Sequence, residues 1–410
     1  MNSQTMAGTN STLPRAKGLM LSLLLMMASA FSCVTASAAT LTVGLCQPGG
    51  YSTIQSAVNA AAAGDTVNVC PGVYPESVLI TKNLTLAGIN AKDQLGVPTI
   101  TYGGKGDKPV CQPEAEAQGA CPQVFVVGAT AKIIGLHIDD SAFPKSTCDA
   151  TPVAIFFLNA AGTVSSDTLV NQNTICDELQ NGLGVLAAYT IDTGSYSLDI
   201  ANNTINNFGF GAIYLDGYDL SGDGLEAVKL TGSISGNMIT PVQSSTDVIS
   251  LFVTSAEIVS SNKITGVGTQ DDSLAIYINH SDKPSLIGNT ISNIGAGVDL
   301  EDVGPGTLAT NSLSNIGESG VILVCSHNNA LIANTIADTP NVGAVGVFFV
   351  DCNSLPPVGS DDNLLIGNKF NGFCSGILTG SSLNVGNIYA GNSFANITPG
   401  TDIMAGDNCP

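Results

Sequence analysis

Asn289-Thr-Ile-Ser-Asn-Ile-Gly-Ala-Gly-Val-Asp-Leu-Glu301 is followed by Asn311-Ser-Leu-Ser-Asn-Ile-Gly-Glu-Ser-Gly-Val-Ile-Leu-Val324, the same phrase again 22 residues on. Its opening, Asn-x-(Ile/Leu/Phe), also stands at Asn173-Thr-Ile175, Asn203-Thr-Ile205, Asn237-Met-Ile239, Asn262-Lys-Ile264, Asn334-Thr-Ile336, Asn368-Lys-Phe370 and Asn392-Ser-Phe394. Successive asparagines lie between 22 and 34 residues apart. A unit of this length cannot bury an apolar face alone, so the period predicts a solenoid in which each unit rests on its neighbours.

After each phrase comes a Gly/Asn-rich turn, then a small residue and a short apolar run: Gly184-Val-Leu, Ala212-Ile-Tyr-Leu, Ala275-Ile-Tyr-Ile, Gly297-Val-Asp-Leu, Gly320-Val-Ile-Leu, Gly346-Val-Phe-Phe and Gly376-Ile-Leu. No repeat holds an amphipathic helix, and β-branched residues bounded by Gly and Asn predict short strands joined by turns. Coils of this kind stack about 4.8 Å apart with parallel strands, inward Ile, Val and Leu in columns, and asparagines at one turn bonding backbone and each other. Small aliphatics suffice for such a core, which accounts for the absence of Trp from 410 residues. A leucine-rich-repeat horseshoe would need a near-constant period and dominant Leu; variable spacing with Ile, Val and Gly in the lead favours an all-β parallel β-helix of roughly a dozen coils.

The N-terminal segment predicts a cap for this stack. Ser52-Thr-Ile-Gln55 has the form of a capping box, and Ile54, Val58 and Ala61 share one face of the helix it opens. Gly64-Asp65, the strand Thr66-Val-Asn-Val69 and a Pro71-Gly72 turn follow. An amphipathic helix over the open end would hide the apolar columns and the unpaired edge. Tyr51-Ser-Thr-Ile-Gln-Ser-Ala-Val-Asn-Ala, Gly64-Asp-Thr-Val, Pro71-Gly-Val-Tyr-Pro-Glu-Ser-Val78 and Asn83-Leu-Thr-Leu-Ala-Gly88 resemble the opening of right-handed parallel β-helix proteins of the pectin-lyase-like superfamily. The resemblance implies a single-stranded right-handed helix, with a cap and first coils over residues 39–90 and repeats over 91–410.

Residues 1–38 read as an export signal: Arg15 and Lys17 form a basic start, Leu19 to Ala30 an apolar stretch too short to span a bilayer, and Ala36-Ser37-Ala38 a cleavage pattern. The chain beyond it carries no arginine, which excludes any bidentate guanidinium clamp. It also keeps ten cysteines (46, 70, 111, 121, 148, 176, 325, 352, 374 and 409), a disulfide set for a secreted, extracellular or periplasmic protein. Their connectivity stays open, although sequential pairing matches the repeat length at 46/70, 148/176 and 325/352. With 33 acidic residues against 12 basic ones, nucleic acid and anionic membrane are poor partners.

Aligning the second strand of each coil gives two outward columns. The first reads Phe156, Leu186, Tyr214, Ile249, Tyr277, Asp299, Ile322, Phe348 and Leu378; the second reads Leu158, Ala188, Asp216, Leu251, Asn279, Glu301, Val324, Val350 and Gly380. A face this apolar is expected to lie under loops or under a second copy of the chain, or to form a binding groove. At its centre Tyr214, Asp216, Tyr277, Asn279 and His280 supply stacking surface and polar groups for an extracellular polysaccharide, and Asp299 with Glu301 forms a carboxylate pair two strand positions apart. The strand rise puts that pair about 6.5–7 Å apart, inside the range for an inverting glycosidase. Asp219, Ser221, Asp223 and Glu226 place oxygens at alternating positions around a Gly, a candidate Ca²⁺ loop.

Pectin methylesterases offer a sharper resemblance: Gly72, Tyr74 and Glu76 match G-x-Y-x-E, Gln270-Asp-Asp-Ser-Leu274 loosely matches Q-D-T-L, and Val298-Asp299 begins V-D-F-I-F-G. It implies Asp271 or Asp272 as general acid and Asp299 as nucleophile. The missing arginine counts against that activity and leaves hydrolase or lyase chemistry if the site is catalytic. The competing expectation is a non-catalytic structural or adhesive protein of the cell envelope.

Overall fold

The helix expected after Ser52 forms as Ile54–Ala60 in the computed structural model, which describes residues 37–89, 96–103, 111–116, 119–144, 150–172, 174–176, 179–189, 194–219, 229–241, 247–255, 257–269, 273–338, 344–352 and 359–405. Thr53 is the N-cap, its hydroxyl accepting from Ser56 N at 3.1 Å. Two further donors of the first turn, Ile54 N and Gln55 N, are taken by the two carboxylate oxygens of Glu76 at 2.8 and 2.9 Å. A charged acceptor at a helix N-terminus is favoured by both the unpaired N–H groups and the dipole. The Tyr74 hydroxyl donates to Cys70 O at 2.9 Å from a buried position. Tyr74 and Glu76, two of the residues that carry the methylesterase resemblance, therefore hold the cap together. Ile54, Ala57, Val58 and Ala61 are buried against the first coils.

Beyond the cap, thirteen parallel strands of the described residues stack from Thr40–Val43 to Ile388–Ala390. Twenty-two more form a second network, because the long strands Thr290–Glu301 and Ser312–Val324 turn a corner and belong to two faces at once. Thr290–Glu301 pairs both with Lys263–Thr265 and with Leu274–Asn279. The corner falls at small residues, where a Cβ on Gly297 would come within 2.3 Å of Gly320 O. Inward Ile, Val and Leu form one continuous core along the axis, as in the column Ile205, Ile239, Ile264, Ile291, Leu313, Ile336 and Phe370. No helix of the described residues is long and apolar enough to cross a membrane.

The asparagine ladder runs unbroken from Asn203 through Asn237, Asn262, Asn289, Asn311, Asn334 and Asn368 to Asn392. Asn262 illustrates each rung: its N–H and Nδ2 both donate to Asn289 Oδ1 at 3.0 Å, and Nδ2 also donates to Ile234 O at 2.8 Å. The rung before Asn203 is Asp167, whose N–H donates to Asn203 Oδ1 at 2.9 Å, and not Asn173. Thr168–Val170 is the strand paired with Thr204–Asn206, whereas Thr174–Cys176 forms an antiparallel pair with Leu179–Asn181 in an inserted excursion. A second ladder, invisible in the repeat phrase, links Gly306, Asn329, Asn363 and Asn387.

Disulfides join Cys46 to Cys70, Cys111 to Cys121 and Cys325 to Cys352, each between sequence-adjacent cysteines. Residues 1–36 of the expected export signal 1–38, and Cys148 and Cys409, lie outside the described residues.

Candidate functional site

The strand register fixes what faces outward. One column runs Phe125, Phe156, Leu186, Tyr214, Ser250, Tyr277, Asp299, Ile322, Phe348, Leu378 and Met404. Beside it Asp216, Phe252, Asn279, Glu301, Val324 and Val350 are in register. Ile249 and Leu251 therefore do not face outward: both are fully buried in the core, and Ser250 and Phe252 take their places. In that coil Val248 occupies the corner position that Ala212 and Ala275 hold in its neighbours, so reading Val as the first strand residue slips the alternation by one.

With that correction the centre of the face becomes continuous. Phe210 and Tyr214 have ring centroids 5.9 Å apart, Tyr214 and Phe252 5.1 Å, and Phe252 and Tyr277 5.4 Å, a row of four rings crossing successive coils. Next to the row the Tyr277 hydroxyl donates to Glu301 Oε2 and accepts from Asn279 Nδ2 at 2.9 Å. Asn279 Oδ1 in turn meets His280 Nδ1, and His280 Nε2 lies 3.1 Å from Asp302 Oδ2.

Asp299 sits between the Tyr277 and Ile322 positions with its Oδ1 buried and free of any hydrogen-bond partner. Burial first, then the charges of Glu301 and Asp247, pushes its carboxyl up to about 7. Burial also raises Asp247, and burial with Asp216 and Asp247 pushes the Tyr214 phenol up to about 12. Tyr277 is raised as well, by burial and by its bond to Glu301. Two carboxyls two residues apart thus differ in surroundings: burial holds Asp299 above the usual carboxylate range, while Glu301 accepts a phenolic hydrogen bond.

Of the sequence-derived candidates, the fold brings Tyr214, Asp216, Tyr277, Asn279, His280, Asp299 and Glu301 to one patch. Phe210, Ser250, Phe252, Asp247 and Asp302 join them; the signal for Ser250 and Phe252 is the strand alternation once the corner is placed correctly. The neighbour of Asp299 in the preceding coil is Tyr277. Asp271 and Asp272 lie outside the described residues, and the register they need beside Asp299 is already occupied. Asp219 ends the strand Gly211–Asp219, while Ser221, Asp223 and Glu226 of the candidate Ca²⁺ loop lie outside the described residues.

The apolar flank of the face is covered from within the chain. Ala115 of the short helix Pro113–Glu116 is fully buried with Phe125, Val153, Phe156 and Leu158 in one cluster, and Phe125 and Phe156 stack at 5.1 Å.

Residues 228–395 match the family described as the right handed beta helix region. No curated protein sequence matches the chain. Among solved structures, the A-module of the mannuronan C-5 epimerase AlgE4 from Azotobacter vinelandii is similar at 14% identity with a TM-score of 0.58, over 84% of this chain and 91% of that one. The DFA-IIIase of Arthrobacter chlorophenolicus A6, solved without its lid in complex with GF2, gives 12% identity and 0.54 over 88% and 100%. The AlgE6 A-module of Azotobacter vinelandii gives 15% and 0.52 over 84% and 93%. At these identities the likeness is one of fold.

Proposed function

We propose that this chain, a right-handed parallel β-helix of the pectin-lyase-like superfamily, binds extracellular polysaccharide across the Tyr214–Phe252–Tyr277 row and hydrolyses it with Asp299 and Glu301. The observation that carries the reading is the unlike surroundings of the two carboxyls on one aromatic face, Asp299 Oδ1 buried without a partner and Glu301 Oε2 held by the Tyr277 hydroxyl. Asp299, held up to about 7, has a proton to give to a glycosidic oxygen; Glu301, anchored by the Tyr277 hydroxyl, is the base that takes a proton from the attacking water. Their spacing of two strand residues, about 6.5–7 Å, leaves room for that water and predicts inversion at the anomeric carbon. The rings supply the apolar floor on which sugars stack, as in other ligand clefts that combine aromatic surface with a few polar groups. Solved structures of similar fold include proteins named for mannuronan and fructan chemistry, and the disulfides fit an oxidising compartment.

The test is release of reducing ends from a panel of polysaccharides by the wild type, with and without Ca²⁺, set against Asp299→Asn and Glu301→Gln. Each variant should lose at least about a hundredfold in kcat with its fold intact. Equal rates in wild type and variants would remove the reading.

A non-catalytic adhesive role has one observation of its own. On the thirteen-stranded face Ile287, Ala309, Ile332 and Ile366 stack in register as an outward column, with Ile332 and Ile366 still 37% and 38% exposed. Concentration-dependent self-association that Ile332→Lys abolishes would support it, and a monomer at every concentration would exclude it.

A further inference from the structure

Resting on the carbohydrate reading above, we propose that the glycan taken by this face is neutral, and that polyuronates are rejected by the same residues that bind it. Recognition of a uronate needs a positive group at each carboxylate, normally a guanidinium, an ammonium or a bridging cation. The outward columns carry no Lys or Arg among the described residues, and the chain beyond residue 38 has no arginine at all. Acids surround the row instead: Asp216 and Asp247 act on Tyr214, Glu301 and Asp247 act on Asp299, and Asp302 closes the edge. The basic side chain at the site is His280, and its Nε2 already faces Asp302 Oδ2 at 3.1 Å.

The rings point the same way. The face of an aromatic ring is its negative pole, so it attracts the C–H face of a neutral sugar and repels a carboxylate. Polar groups at the row are also of the wrong kind for an anion. Asp216 and Glu301 are acceptors suited to sugar hydroxyls. Ser250 is fully buried in the outward column between Tyr214 and Tyr277, so at that position the row presents its rings and no hydroxyl to a ligand. A uronate in the same place offers acceptors to acceptors.

The experiment is calorimetric binding of matched oligosaccharide pairs to the whole protein near pH 7.5: oligogalacturonates against the oligogalactosides made from them by carboxyl reduction, and oligomannuronates against oligomannosides, each with and without Ca²⁺. The neutral member of a bound pair should bind at least about tenfold tighter, and the gap should narrow as salt rises from about 0.05 to 0.5 M. Glu301→Gln should raise uronate affinity severalfold, a gain that misfolding does not produce. Uronates binding as tightly as their neutral partners, in either Ca²⁺ condition, would overturn the neutral class while leaving the site standing. Binding of neither member of any pair, with Tyr214→Ala and Tyr277→Ala indistinguishable from wild type, would remove the carbohydrate reading and this inference with it.

Discussion

Asp167→Asn should stabilise the protein, and only at higher pH. Asp167 occupies a ladder position that asparagine holds in the following rungs. Its Oδ1 accepts from Leu136 N at 2.6 Å, as a ladder amide oxygen does, but its buried Oδ2 has no partner. Where Asn203 uses Nδ2 to donate to Val164 O at 3.0 Å, a carboxylate has nothing to donate; the equivalent carbonyl for Asp167 is that of Ile133, which is in register with Val164. Protonation restores the missing donor, and burial pushes the Asp167 carboxyl up to about 7 against 3.8 for the free side chain. The folded state therefore keeps a proton that the unfolded state releases. Stability from this group is complete below about pH 4, declines as pH rises from there to about 7, and stays lost above. The difference of about three pKa units corresponds to about 4 kcal/mol at full extent. An amide carries its donor at every pH, so the variant should equal the wild type near pH 4 and exceed it by about 2–4 kcal/mol at pH 8. Urea unfolding followed by circular dichroism across this range, with disulfides intact, reads the effect. A variant that is destabilised at pH 8, or whose advantage does not change with pH, would refute the reasoning.

Asn289→Ala removes the acceptor of Asn262 N and Nδ2 and the donor to Val259 O and Asn311 Oδ1, four bonds of 2.8–3.0 Å. At about 1 kcal/mol each, with buried groups left unpaired, the expected loss is about 3–5 kcal/mol, and a change below about 1 kcal/mol in urea would contradict it. Glu257 is fully buried with both carboxylate oxygens unpartnered, and burial followed by the Asp199 charge pushes it up to about 8. Folded Glu257 keeps its proton longer than the unfolded chain does, so its share of stability falls from about pH 4.5 to 8; Glu257→Gln should flatten that part of the stability profile. Replacing Cys325 and Cys352 by Ser opens a closure of sequence separation 27 and should cost about 3.5 kcal/mol, read as a lower urea midpoint.

The fold was legible because its cause is periodic. Asn-x-Ile sets one hydrogen-bonded rung and one inward apolar residue per coil, and Ser52-Thr-Ile-Gln55 announces the cap helix, although Thr53 and not Ser52 is its N-cap. The site was legible where alternation was clean, at Tyr277, Asn279, Asp299 and Glu301. It was misread where a corner residue was not small: Val248 looks like a strand residue, which turned Ser250 and Phe252 inward on paper and hid the middle ring of the row. Asp167 holds the rung before Asn203 without the expected side chain, and Asn173 lies outside the described residues. Glu76 matches a methylesterase motif in the sequence, and the fold spends both its oxygens on a helix N-terminus.

Sequence alone determined the solenoid, the absence of arginine beyond residue 38 and the carboxylates at the centre of a largely apolar outward face, because repetition and composition act without knowledge of distant contacts. Only the tertiary structure decided which residues share a column, since stacking brings together positions 22 to 36 residues apart such as Tyr277 with Asp299 and Tyr214 with Ser250. It also decided protonation. Whether Asp299, Asp167 or Glu257 holds a proton near neutral pH follows from how much water and charge surround each carboxyl, and neither is written in the order of the residues.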